Sequence, residues 1–308
     1  MTFLQCLRWF GGWYVCGKTP LACMATIAVF ATGATLNAQS NEEITRLFQS
    51  IDWKTGPCTV DLGLVAEIDV PSGFRFTGRD GARKWAEVNG NVPDRECLGV
   101  LTPNGGGWYM AFAFSEIGYV KDDERDRLDA DAILEAIKKA TAEANRTRRM
   151  KGWPDLYVVG WELTPSYDEV TNNLVWAIRG RSANGELSGN NDMVNYNTRL
   201  LGRRGVMSAN LVDSARTFGQ NVPTVKGLLT GFRYKTGNRY AEWRSGDKVA
   251  TYGLTGLIAG GGTAVAAKTG FLAKLGAFLA KGGKALIVAV VAFFAWLGRK
   301  FFVGAKQN

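Results

Sequence analysis

Acidic residues divide this chain into a part that can fold in water and two parts that suit another solvent. All 28 Asp and Glu of the 308 residues lie between Gln39 and Ala250, together with 28 of the 37 Lys and Arg. The other nine basic residues (Arg8, Lys18, Lys268, Lys274, Lys281, Lys284, Arg299, Lys300 and Lys306) stand in two apolar ends that hold no acid. Lys and Arg beside apolar runs mark a chain's position against a bilayer, because the cations stay with anionic headgroups while the run enters hydrocarbon. The net charge of +9 therefore points to a lipid bilayer as partner and not to nucleic acid.

At the N-terminus, Arg8 and Lys18 precede an uncharged stretch from Leu21 to Leu36 that closes on Asn37 and Ala38. This is the pattern of an export signal over residues 1–38, with small Ala38 before the cut. Leu36 is larger than signal peptidase prefers, so an uncleaved anchor stands beside cleavage, and a buried core helix is the third reading. At the C-terminus, Lys284 and Arg299 bracket the run ALIVAVVAFFAWLG. That run as a helix reaches about 21 Å against a hydrocarbon core of about 30 Å. Extension to Val303 and snorkelling by the flanking cations close most of the gap, so a transmembrane helix is expected over 284–303, followed by a tail, 304–308. Residues 249–283 form a Gly/Lys-rich juxtamembrane segment. Gly256, Gly260 and Ala264 recur at the four-residue spacing that lets helices approach in lipid. A single span and a two-helix hairpin that also buries Val249 to Ala267 both fit this pattern.

The chain has no histidine, which excludes Ser-His-Asp and Cys-His catalysis and most zinc sites. Neither a metal nor a cofactor is expected. Of five cysteines, Cys58 and Cys97 remain after the signal. In an oxidising compartment they form either a disulfide or two separately buried thiols.

Residues 39–248 read as one extracytoplasmic α+β domain: an antiparallel sheet with one long helix and short helices packed on it, followed by the C-terminal transmembrane helix. Glu42 to Gln49 is a short amphipathic helix, and Cys58 to Val70 alternates as a strand. Gly99 to Leu101 and Trp108 to Phe114 flank a turn rich in glycine. Aspartates from Asp122 to Asp131 lead into a helix from Asp129 to Arg149 with acids in its first turn and arginines in its last, as the helix dipole favours. A calcium site among these acids is the alternative, but the glycine and closing glutamate of an EF-hand loop are missing or misplaced. Strands follow at Leu156 to Leu163, Leu174 to Arg179, Met193 to Leu201 and Val206 to Val212. A short helix at Pro223 to Leu229 and a strand at Phe232 to Lys235 come next. Six to eight strands with the long helix on one face is the expected arrangement.

On the third of those strands, Val194, Tyr196 and Leu200 point one way and Asn195, Asn197 and Arg199 the other. Arg203 and Arg204 stand in the turn beside them. This is either a solvated sheet face or a binding face for an anionic or carbohydrate partner, with Trp161 or Tyr167 as stacking surface. Glu162 and Asp168, near strand ends, are the first candidates for a catalytic carboxylate pair in a chain without histidine.

Six strings in order, GYVKDDE from Gly118, VGWELTPSYD from Val159, LVWA from Leu174, VNYNTRLLGRRGV from Val194, GNRYAEW from Gly237 and DKVATYGLTGLIAGG from Asp247, give the chain a family likeness. Together they resemble the bacterial predicted membrane-anchored proteins of domain-of-unknown-function family 2167. The resemblance implies a Gram-negative envelope protein with a signal and a C-terminal anchor, and the chain is expected in the inner membrane with its main domain in the periplasm. It implies no activity. A non-enzymatic binding or scaffolding domain, partnered by an envelope protein or anionic lipid, is the expected function. A carboxylate-dependent hydrolase or transferase acting on an envelope polymer is the alternative.

Overall fold

Alternation in the neutral middle of the chain is realised as a large antiparallel sheet of eight strands. In spatial order these are β1 (Lys54–Thr55), β4 (Phe74–Gly78), β5 (Cys97–Pro103), β6 (Tyr109–Ser115), β10 (Val206–Ser214), β9 (Met193–Leu201), β8 (Asn173–Ser182) and β7 (Leu156–Asp168). A second sheet has the order β11 (Phe232–Tyr234), β3 (Ala66–Val70), β2 (Cys58–Leu62). The computed structural model of the protein describes residues 42–259 apart from 90, 92, 151 and 184–191. The expected signal, transmembrane helix, tail and the juxtamembrane residues after 259 lie outside the described residues. Among those described, no helix is long and apolar enough to cross a membrane.

The small sheet covers one face of the large one. Val60, Leu62, Ile68 and Val70 pack with Val194, Tyr196 and Leu200 of β9 and with Met207, Ala209 and Leu211 of β10. Helix α4 (Phe218–Leu229) adds Phe218, Val225 and Leu228 to this cluster. Its first turn is held by Asp213, fully buried, whose carboxylate accepts from the Ser214 N–H, Thr217 Oγ1 and Asn221 Nδ2.

The other face carries two separate helical clusters. At one end α1 (42–49) and α2 (Arg79–Val88) bring Phe48, Ala82 and Trp85 onto Val100, Tyr109, Ala111 and Val212. At the other end α3 (Ala130–Met150) lays Ile133 and Ile137 on Leu174, Trp176 and Ile178. Both ends of α3 are tied to the edge strand β7. Trp161 Nε1 donates to the Ala130 carbonyl at 3.2 Å, and the Asn145 amide exchanges two 2.9 Å bonds with the backbone of Leu156.

Four expectations change. Cys58 to Val70 is a hairpin and not one strand, turning at Gly63 with φ +64° while Leu64 is 92% exposed. The buried residues are even-numbered on both arms, so a three-residue loop leaves the alternation in phase and hides the turn. Residues 74–88, given no element by the sequence reading, form β4 and α2, whose buried Ala82, Trp85 and Val88 recur at three-residue spacing behind a helix start that has no side-chain cap. Strand β7 runs past Leu163 to Asp168 through Pro165, which an edge strand tolerates because one side of its backbone has no partner. Finally, the domain does not stop at 248. Tyr119 and Val249 form a parallel bridge, and helix α5 (Leu254–Ile258) is buried beside Val120, Ile133 and Trp176.

Leu254 is fully buried, so Leu254→Ala removes atoms from the α3 cluster and is expected to lower stability by about 2–5 kcal/mol. Denaturant unfolding of the intact chain reads this. A loss below about 1 kcal/mol would show that the segment after 248 is only draped on the domain.

A candidate binding face between two helical clusters

Facing pairs in an antiparallel ladder share a side of the sheet, so register places residues across it. One row reads Ala111, Asn210, Asn197, Trp176; the next reads Ala113, Ser208, Arg199, Leu174. Ala111 belongs to the α2 cluster and Trp176 to the α3 cluster. The polar residues of β9 and β10 therefore stand between the apolar residues of the two clusters. Asn195 and Asn210 are buried, at 6% and 7% exposure, while Asn197, Arg199 and Ser208 are half-buried.

Amides and a guanidinium this far from water need directed bonds. Arg199 Nη1 donates to Asn210 Oδ1 at 2.6 Å, and Asn197 Nδ2 donates to the Asn195 carbonyl at 3.0 Å. The Arg199 guanidinium also lies over the Trp176 ring, 4.7 Å from its centroid, within cation–π range. An amide and an aromatic face thus help to orient the fork, and its Nη1 also donates to the Thr198 carbonyl at 3.4 Å.

Two more groups border the strip. Glu96, exposed just before β5, accepts a hydrogen bond from Ser115 Oγ. Tyr252 reaches in from the segment between β11 and α5, packed on the α3 cluster. Burial raises the Tyr252 phenol above its ordinary value, the Glu96 charge raises it further, and the Arg199 charge opposes both. Unlike charges from β9 and from the start of β5 are therefore both felt at this one phenol.

Of the residues expected at the face, Asn195, Asn197 and Arg199 share it. Arg203 does not serve it: its Nε and Nη2 hold both oxygens of Asp247, at 2.6 and 2.8 Å, and its side chain is 14% exposed. Arg204 is exposed at the turn, where its carbonyl accepts from the Gly118 N–H. Trp161 and Tyr167 are packed on the α3 cluster, so neither is an open stacking surface. Asn210, Ser208, Trp176, Glu96, Ser115 and Tyr252 were missed. Only Ser208 and Asn210 had a local signal, since they alternate with Met207, Ala209 and Leu211 on β10.

The carboxylate pair does not form. Glu162 is bound to Arg179 at 2.7 Å, and Asp168 caps its own turn by accepting from Val170 N and Thr171 Oγ1. Asp168 pairs with Asn173 on β8, while Glu162 lies in a bulge before Leu163, whose partner Ala177 stands four residues from Asn173. That is roughly 13 Å of strand, beyond the roughly 5 to 10 Å of paired catalytic carboxyls. Nor do Cys58 and Cys97 form a disulfide. Both are free, because Cys58 packs on the small-sheet cluster and Cys97 on the α2 cluster, where burial pushes its thiol up to about 11.

The strings that carried the family resemblance meet in space and fasten the C-terminal segment. Tyr119 stacks on Tyr240 at 4.5 Å and touches Trp243 at 5.3 Å, and the Tyr240 hydroxyl donates to the Val120 carbonyl. Glu124 accepts from the Thr255 N–H at the start of α5.

A family model described as a protein of unknown function (DUF2167) matches residues 54–294. No curated protein matches the chain. Among solved structures it is similar to the solution structure of cyanobacterial PsbP (CyanoP) from Synechocystis sp. PCC 6803, at 12% identity and a TM-score of 0.35. That match covers 60% of this chain and 93% of that one.

Asp247 is held well below the ordinary 3.8, at about 2, first by the Arg203 hydrogen bonds and then by the Arg244 N–H. A carboxylate depressed on folding contributes stability that is complete above its unfolded pKa and is lost as pH falls through the folded one. The melting temperature of the wild type should therefore exceed that of Asp247→Asn by a constant margin above pH 3.8, and the margin should shrink as pH falls toward 2. A margin independent of pH over that window would refute the clamp.

Proposed function

The chain belongs to the DUF2167 family, whose description assigns no function, and on that premise we propose a non-enzymatic binding domain of the cell envelope, tethered to the inner membrane. The observation that carries the binding role is the strip of Asn195, Asn197, Arg199 and Asn210, placed between two apolar clusters on one sheet face, with Asn197 and Arg199 half-buried. A sheet face that only met water would have no need of an arginine braced by both an amide and an indole. The tether rests on charge: all surplus cations sit in two acid-free apolar ends, with 1–38 as export signal and 284–303 as transmembrane helix. In this reading the domain faces the periplasm of a Gram-negative cell, and the partner is an envelope component. The lysines from Lys268 to Lys284 meet anionic lipid.

Two measurements test this. A phosphatase fused after Ala259 is expected to be active in a Gram-negative host, with the intact chain sedimenting with the inner membrane. An inactive fusion, or intact chain in the soluble fraction, overturns the placement. A photo-crosslinking side chain at Asn197 should capture an envelope component, and Arg199→Ala should abolish that capture while lowering stability by only about 1 kcal/mol. Capture that survives Arg199→Ala discards the strip as the contact.

A further inference from the structure

Register brings five strand ends to one end of the domain. Ser115 closes β6 opposite Val206, which opens β10 opposite Leu201 of β9, and Leu200 lies opposite Asn173, where β8 leaves its turn from Asp168 of β7. The β2–β3 turn comes to the same place, because the Tyr234 hydroxyl donates to the Leu200 carbonyl and accepts from the Met207 N–H, while the Lys235 N–H donates to the Val65 carbonyl. Gly118 is bonded to Arg204 of the β9–β10 turn, and beside it Tyr119 forms its bridge with Val249 and lies 5.3 Å from the Trp243 ring.

Of the eight large apolar side chains that are exposed among the described residues, four lie at this end: Leu64 at 92%, Val170 at 90%, and Trp243 and Val249 at 39% each. Leu64 and Val170 are the tips of two separate turns. Lys121, Arg204, Arg239, Arg244 and Lys248, all exposed, stand at the same end. Most acids there are engaged: Asp247 by Arg203, Asp122, Asp126 and Glu169 by Arg125, and Glu242 by the N–H groups of Gly237 and Arg239. Glu116 and Asp123 remain exposed, so the open charge of this end is positive.

Resting on the tethered-domain reading above, we propose that this end docks on an anionic phospholipid bilayer, with Leu64, Val170 and Trp243 entering the interface and the five cations meeting lipid phosphates. Single exposed apolar residues are ordinary on a soluble domain, but two aliphatic turn tips beside an indole and a surplus of cations match the layers of a bilayer surface in kind. Aliphatic groups reach the acyl boundary, an indole rests at headgroup level, and Lys and Arg stay with the phosphates. The turns can enter that zone because their backbone is bonded within the protein: Asp168 accepts from the Val170 N–H at 2.9 Å, and the Val65 carbonyl accepts from Lys235. The chain also supplies its own surface. It continues from α5 into Lys268, Lys274, Lys281 and Lys284 and the apolar run that follows them, and a tether raises the effective concentration of the bilayer at the domain. A second copy docked on the same end would set these cations against one another.

The test places the full-length protein in nanodiscs of phosphatidylglycerol and phosphatidylethanolamine, with a photo-crosslinking side chain at Leu64, at Val170, or at Asn104, which is exposed between β5 and β6 at the opposite end. Phospholipid adducts, read by mass, are expected at Leu64 and Val170 about tenfold more often than at Asn104. Nanodiscs of phosphatidylcholine alone, or the combined variant Arg204→Glu, Arg239→Glu and Arg244→Glu, should each lower those adducts about fivefold or more. The three side chains are exposed, and an unchanged melting temperature confirms that the variant keeps its fold. Adducts at Leu64 and Val170 no more frequent than at Asn104, adducts to a second copy of the chain in place of lipid, or adducts indifferent to both lipid charge and the variant each overturn the proposal. Chain that enters the nanodiscs without lipid adducts at either tip leaves the tether standing and removes only the docking. Chain that does not enter them removes both.

Discussion

Strands β9 and β10 make the candidate site depend on the core. Val194, Tyr196, Leu200, Met207, Ala209 and Leu211 anchor one side of this central pair against the small sheet and α4. Each large apolar side chain buried this way contributes about 1.5–3 kcal/mol. Because side chains alternate, that burial also decides what faces the other way. A slip of one residue would turn the anchors to the polar side and drive amides into the core, so register is strongly specified. Asn197 stands opposite Asn210, and Arg199 opposite Ser208, as a consequence of packing on the far side of the sheet.

Covering the second face is a task the helices share unevenly. Cluster formation at each end buries aromatic rings, with Trp85 edge-on to Trp53 and Tyr109 at one end and Trp176 under α3 at the other. Between the two apolar clusters the strip holds hydrogen-bonding side chains. This arrangement explains why Trp176 is both a core residue and the platform for Arg199. Its ring belongs to the apolar cluster, and its edge of the cluster borders the polar rows.

The segment from Gly237 to Ala259 joins the fold through many small contacts. Arg203 and Asp247, the stacked Tyr119 and Tyr240, Glu124 at the start of α5 and buried Leu254 all bind it to the sheet. All six strings shared with the family take part in this fastening or in the α3 cluster that receives it. Their resemblance reports how the chain is closed more than what it contacts. Tyr252 belongs to the same segment, so the closure also supplies one border of the strip.

Much of the fold was legible along the chain. The α+β class, the α3 stripe, the antiparallel strands after Leu156 and the polar side of β9 all follow from periods of 3.6 and 2, which local sequence carries directly. The β2–β3 turn was not legible, because the loop preserved the phase of alternation. The site was half legible for a related reason. Periodicity states which side of its own strand Asn197 faces, but says nothing about which strand lies opposite. Tertiary structure alone set Asn210 against Asn197 and gave Arg203 to Asp247, 44 residues away. Facing is a property of a strand and is written in its own residues. Partnership is a property of the sheet, decided when distant apolar faces are buried together.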